Sequence, residues 1–109
     1  MVTSSERRKH RRFAVPCRLS VELPSGDDIR IRTINVSDGG AYFVTERAII
    51  EVGRQVNVRL AVPRDTANTF FLEQFVARAQ VIRCDPPPDG KDGAGVALRF
   101  EQELALDLA

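Results

Sequence analysis

The chain has no tryptophan, one tyrosine, one histidine, one methionine and two cysteines among its 109 residues. Each scarcity closes off a class of function. General acid–base chemistry usually recruits histidine or paired carboxylates in a pocket, and the single histidine, His10, sits inside a run of positive charge. Asp85, Asp89 and Asp92 lie in a Pro/Gly-rich stretch without the spacing of a calcium loop or a zinc site, so no metal is expected. Cys17 and Cys84 form no CxxC pair and are too few for a disulfide scaffold; they read as reduced, mostly buried thiols. No apolar run approaches the roughly 18 residues of a membrane span. The opening "MVTSSERRKH" leads into charge where a secretory signal needs an apolar stretch. These features predict a cytoplasmic protein that neither catalyses a reaction nor inserts into a membrane.

What is present is an uneven distribution of charge. The formal net charge is only +1, yet residues 1–18 carry +5 and the remainder −4. Five of the six side chains from Arg7 to Arg12 are cationic. A basic arm before a mildly acidic body points to an anionic partner.

The body alternates with period two, the pattern of half-buried strands. Leu19, Val21 and Leu23 share one face, and the turn "PSGDD" leads to Ile29, Ile31 and Thr33 on one face of a second strand, so the two should pair antiparallel. "AYFVTE" is a third strand, and Val56, Val58, Leu60 and Val62 line one side of a fourth. "TFFLEQFVARAQVIRC" is long enough for one strand or for two broken near Gln74. Phe71, Phe75 and Phe100 are expected to feed the core. "DPPPDGKDGAG" holds three prolines and three glycines and reads as a loop, and "GVALRF" completes the set. About six short strands predict one all-β domain, a small antiparallel barrel over residues 13–109. The tail "EQELALDLA" is expected to form a short helix docked on it.

Two motifs go beyond folding. In the arm, Arg8 and Arg12 are spaced i, i+4, and planar guanidinium forks suit phosphates and guanine edges bidentately while their faces stack on purines. "NVSDGG", Asn35 to Gly40, combines turn-forming Asn and Ser with a glycine pair that permits positive φ or close approach to the backbone. Taken alone, the first also fits a solvated tail and the second an ordinary β-turn.

In this order and spacing the chain resembles the PilZ domain family, whose marks are RxxxR before the first strand and [D/N]xSxxG between the second and third. Here these are Arg8-x-x-x-Arg12 and Asn35-x-Ser37-x-x-Gly40, with "VIR" at 81–83 and "GVALRF" at 95–100 similar to later family strands. The resemblance implies a six-stranded barrel that binds cyclic di-GMP, with residues 1–12 a flexible arm that closes over the nucleotide. It implies that Arg8 and Arg12 contact phosphates and guanines, with Arg7 adding a contact. It implies that Asn35 accepts from a guanine, Ser37 bonds ligand or loop, and Gly39 and Gly40 admit the backbone closely. Asn35 stands where the family often has Asp, and Arg11 where an uncharged residue is frequent. The ligand would be cyclic di-GMP, with no further cofactor, and the signal would pass to an unidentified downstream protein. Two alternatives are an adaptor that has lost nucleotide binding, disfavoured because both motifs are intact, and a small-barrel binder of single-stranded nucleic acid. The latter needs exposed aromatic platforms, and so nucleic acid is not an expected partner.

Overall fold

The computed structural model describes residues 11–45, 51–85 and 93–108. Six strands form: β1 (Arg18–Glu22), β2 (Asp28–Ser37), β3 (Gly40–Thr45), β4 (Gln55–Asp65), β5 (Phe70–Asp85) and β6 (Ala94–Phe100). They close into a barrel in the order β1-β2-β3-β6-β5-β4, every neighbouring pair antiparallel. Closure leaves no unpaired edge along the barrel wall, which is how a small all-β chain satisfies its backbone without exposing a template for aggregation.

The alternation read from the sequence puts one set of side chains inside. Leu19, Val21, Val36, Phe43, Leu60, Val81 and Val96 are each 2% exposed or less. Removing a side chain of this size from water contributes roughly 1.5–3 kcal/mol, a large share of the net stability of a domain this small. β1 and β2 pair across the Pro/Gly turn, with Leu19 opposite Ile31 and Val21 opposite Ile29. The long fifth stretch is one strand, unbroken at Gln74. Asp85, Ala94 and Gly95 belong to strand ends; the proline run between them lies outside the described residues.

Two expectations are corrected. The tail does not form a helix: residues 103–108 run without regular secondary structure. Its leucines recur at every second position, and Leu106 is 0% exposed in the core, with Leu104 and Leu108 packed against it. Asp107 adopts φ 52°, a left-handed conformation that a right-handed helix cannot continue. Arg64 completes the anchoring by donating to the Leu106 and Asp107 carbonyls. Two turns of isolated helix are marginal in water, and burying Leu106 while satisfying those carbonyls is the better bargain.

The second correction concerns the phenylalanines. Phe100 is buried and Phe75 packs against the core, but Phe71 is 47% exposed and its neighbour Phe70 64%. β1 pairs with β4 only as far as Ala61, whereas β4 and β5 go on pairing to Asp65 and Phe70. The end of that hairpin is therefore a two-stranded ribbon beyond the barrel wall, with no third strand beside it among the described residues.

Candidate functional site

The segment leading into β1 runs antiparallel to the last third of β2. Phe13 and Val36 exchange both backbone hydrogen bonds, at 2.8 and 2.9 Å. Around Pro16 the segment kinks. There the Cys17 amide donates to the Thr33 hydroxyl at 2.9 Å and that hydroxyl donates to the Val15 carbonyl at 2.8 Å. Thr33 is buried, and this pair of bonds satisfies it fully. The Phe13–Val36 pairing sets Arg12 beside the last third of β2.

A β-bulge aims the other partner. The β2–β3 register moves from Thr33 opposite Phe43 to Asn35 opposite Tyr42, so two residues on β2 answer one on β3. Thr33 and Val36 both point inward, and the two residues between them, Ile34 and Asn35, are left outside, Ile34 47% exposed. Without the bulge, strict alternation would turn Asn35 toward the core. With it, the Asn35 side-chain oxygen accepts a hydrogen bond from Arg12 at 3.0 Å. The two motifs, 23 residues apart, thus meet.

Beyond Asn35 the chain makes a tight turn. The Ser37 hydroxyl, nearly buried, accepts from the Gly39 amide at 3.2 Å, closing the turn locally. Gly39 and Gly40 do not have positive φ; among the described residues the glycines that do are Gly26, Gly53 and Gly93. Gly40 is required for a different reason. A Cβ there would overlap the carbonyl oxygen of Leu98 on β6, so only glycine lets β3 and β6 approach at this point. The loop is also tied to the tail: Gly39 O accepts from Phe100 N, Asp38 O from Leu104 N, and the Asp38 carboxylate from Leu106 N, each at 2.9–3.0 Å.

These elements enclose an open cleft of ≈ 630 Å³ lined by Arg12, Ser37, Gly39 and Gly40. Across from them stand Arg99 and Gln80, joined by a hydrogen bond of 2.9 Å, with Glu101 and Glu103 on the rim. Gly40 and Gln80 are the strand neighbours of Arg99 on either side, which is what carries its guanidinium into the cleft. Sequence reasoning missed Arg99 and Gln80. The signal was an arginine interrupting the apolar run "GVALRF", uninformative until the register set it beside Gly40. Arg11 stacks over Phe13 with its guanidinium carbon 5.5 Å from the ring centre, a cation–π contact within the arm rather than in the cleft. Arg7, Arg8 and His10 lie outside the described residues.

No group of three or more metal-ligating side chains occurs among the described residues. No helix among them is long and apolar enough to cross a membrane. Neither cysteine is in a disulfide; Cys17 is buried and Cys84 partly so. Burial pushes the Cys17 thiol above its ordinary value, against the hydrogen bond from Thr33 and the charge of Arg64. Cys84 is raised as well, by burial and then by Asp85.

The PilZ domain family model matches residues 6–108. No curated protein matches the chain. Among solved structures, the Bacillus subtilis inhibitor of motility MotI/DgrA is similar with TM-score 0.76 at 20% identity, over 93% of this chain and 46% of that one. YcgR from Escherichia coli in complex with c-di-GMP is similar with TM-score 0.63 at 18% identity, over 86% of this chain and 38% of that one. The YcgR PilZ domain with c-di-GMP gives TM-score 0.56 at 19% identity, over 87% of this chain and 78% of the other. The chain thus spans less than half the length of the first two, and at these identities the likeness is one of fold. With a family model matched from the arginine arm to the end of the tail, the chain belongs to the PilZ domain family.

Proposed function

We propose that this protein is a cytoplasmic, non-enzymatic receptor for cyclic di-GMP. The observation that carries the reading is the convergence of Arg12, the second arginine of RxxxR, with the NxSxxG loop on one cleft of ≈ 630 Å³. That volume suits a small-molecule ligand, and the chemistry at its walls suits a dianionic guanine dinucleotide. Arg12 and Arg99 offer guanidinium groups for phosphate oxygens or guanine edges, and the exposed Ile82 offers apolar area. Two solved structures of Escherichia coli YcgR, one of them of its PilZ domain, hold c-di-GMP, which supports the same ligand here.

Arg12 donates to the Asn35 oxygen, the atom that would accept from a guanine. Binding therefore shares or exchanges that contact. Arg7 and Arg8 then close over the nucleotide with the rest of the 1–12 arm, and the change is passed to a downstream protein. Gly39 and Gly40 keep the loop close to β6 so that the ligand meets backbone as well as side chains. Burial of Ser37 and its bond to Gly39 support a role for the hydroxyl in holding the loop.

The exposed Phe70 and Phe71 do not revive the nucleic-acid alternative. They are adjacent on one strand, so their side chains leave opposite faces of the ribbon and form no common stacking platform. Isothermal titration with cyclic di-GMP, with GTP as control, tests the proposal. Micromolar or tighter binding that Arg8→Ala abolishes is the expected result. Absence of heat with cyclic di-GMP would leave an adaptor that keeps its motifs without their use.

A further inference from the structure

Away from the cleft, the outer face of β2–β1–β4 concentrates positive charge in a way the fold does not need. Arg18 and Arg32 are direct cross-strand partners, and Ser20 sits between Arg30 on one side and Arg59 on the other. Four exposed arginines therefore occupy two adjacent rows of one sheet face. Like charges directly opposite one another destabilise a sheet. None of the four forms an ion pair among the described residues, although Arg54, Arg64, Arg78 and Arg83 each do. The four flank a shallow depression of ≈ 420 Å³ that also includes Leu72.

The surroundings decide what chemistry fits. On one side the patch continues onto apolar side chains: Val76, 72% exposed, is the β5 neighbour of Arg59, and the half-buried Leu72 stands one row beyond Ala61 and Gln74. At the hairpin end the sign reverses, because the next row holds Glu22 directly opposite Asp28. A nucleic-acid backbone or an anionic lipid surface presents one sign of charge and would meet that acidic row unfavourably. A folded protein can match a surface that runs from acidic through basic to apolar within a few rows. Arginine beside exposed apolar area is also the composition that protein interfaces favour.

We propose that the outer face of β2–β1–β4, centred on Arg18, Arg30, Arg32 and Arg59, docks a protein partner through that partner's acidic, partly apolar surface. The inference stands apart from the nucleotide reading, since none of the four arginines lines the cleft. Like-charge repulsion at Arg18 and Arg32 is retained at some loss of stability, as binding surfaces commonly are.

The test is an amide chemical-shift titration of the whole ligand-free chain with an amphipathic helical peptide of Glu and Leu. The Glu→Gln version of that peptide, oligothymidylate and phosphatidylglycerol vesicles serve as comparisons. The acidic peptide should shift residues of β1, β2 and β4, and the double variant R18Q/R59Q should weaken it by about tenfold while retaining a folded amide spectrum. The same variant should melt no lower than the parent, because repulsion has been relieved. Equal binding of the Gln peptide, shifts confined to other faces, or tighter binding of oligothymidylate or vesicles through the same arginines would overturn the proposal. A null result in the nucleotide titration would leave it untouched, so the two readings fail separately.

Discussion

Gly40→Ala tests the geometry of the site at its tightest point. The added methyl would overlap the Leu98 carbonyl oxygen, and the obstacle is backbone in a paired strand rather than the end of a flexible side chain. Over-packing a well-filled interior typically costs about 1–3 kcal/mol, and a rigid backbone neighbour places this substitution toward the upper part of that range. Relief requires β3 to move away from β6 at the Gly40–Arg99 pair, which also displaces Arg99 and the Ser37–Gly39 turn. For a domain of about 100 residues each kcal/mol shifts the melting temperature by roughly 4–8 °C, so a fall on the order of 10–20 °C is expected. Thermal melting followed by circular dichroism measures it, with cyclic di-GMP titration at a temperature where the variant is still folded. The expected result is a large loss of stability together with weakened binding. A variant that melts within a degree or two of the parent would mean that β3 and β6 are not as close as described, and the account of why glycine is needed would fail.

Arg12→Ala should lower affinity for cyclic di-GMP by more than tenfold, since charge-assisted hydrogen bonds contribute about 1.5–3 kcal/mol each, as read by calorimetry. Its bond to Asn35 is exposed, so the melting temperature should hardly change. Leu106→Ala removes a fully buried plug and should cost about 2–5 kcal/mol in denaturant unfolding, with loosening of the Asp38 loop that its amide anchors; no loss would show that the tail is not part of the core. Cys17 should resist Ellman's reagent in the native protein while Cys84 reacts slowly. Because burial holds the Cys17 proton more tightly in the folded state than in the unfolded one, its contribution to stability is complete below pH 9.0 and declines as pH rises beyond it. Unfolding curves above and below that pH should show this loss, and Cys17→Ala should flatten it.

The all-β class, the strand order in sequence and the main core were legible because each depends on local pattern: alternation in β1, β2 and β4, and turn chemistry between them. The motif residues were legible too, as residue types at fixed spacings. The placement of Asn35 was not, because a strand bulge is a property of two strands in register, and alternation alone predicts the wrong face. That neither Gly39 nor Gly40 takes a positive φ was not legible for a similar reason. Glycine allows both unusual φ and close approach, and only the position of Leu98 tells which of the two Gly40 serves.

The tail and the phenylalanines show the same division from the side of energetics. "EQELALDLA" has residues suited to a helix, and its alternating leucines also suit an extended plug; the open end of the barrel and the guanidinium of Arg64 chose the latter. Phe71 sits in a sequence that reads as buried strand, yet β1 stops pairing at Ala61 and leaves the ribbon uncovered. Local sequence thus determined which segments are strands, which residues could bind an anion, and where the chain turns. Tertiary structure decided which outward side chains share a surface, bringing Arg12 to Asn35, Arg99 to Gly40 and Arg18 to Arg32. The physical reason is that secondary structure responds to near neighbours along the chain, whereas a site is set by cross-strand register and closure, which are properties of the whole barrel.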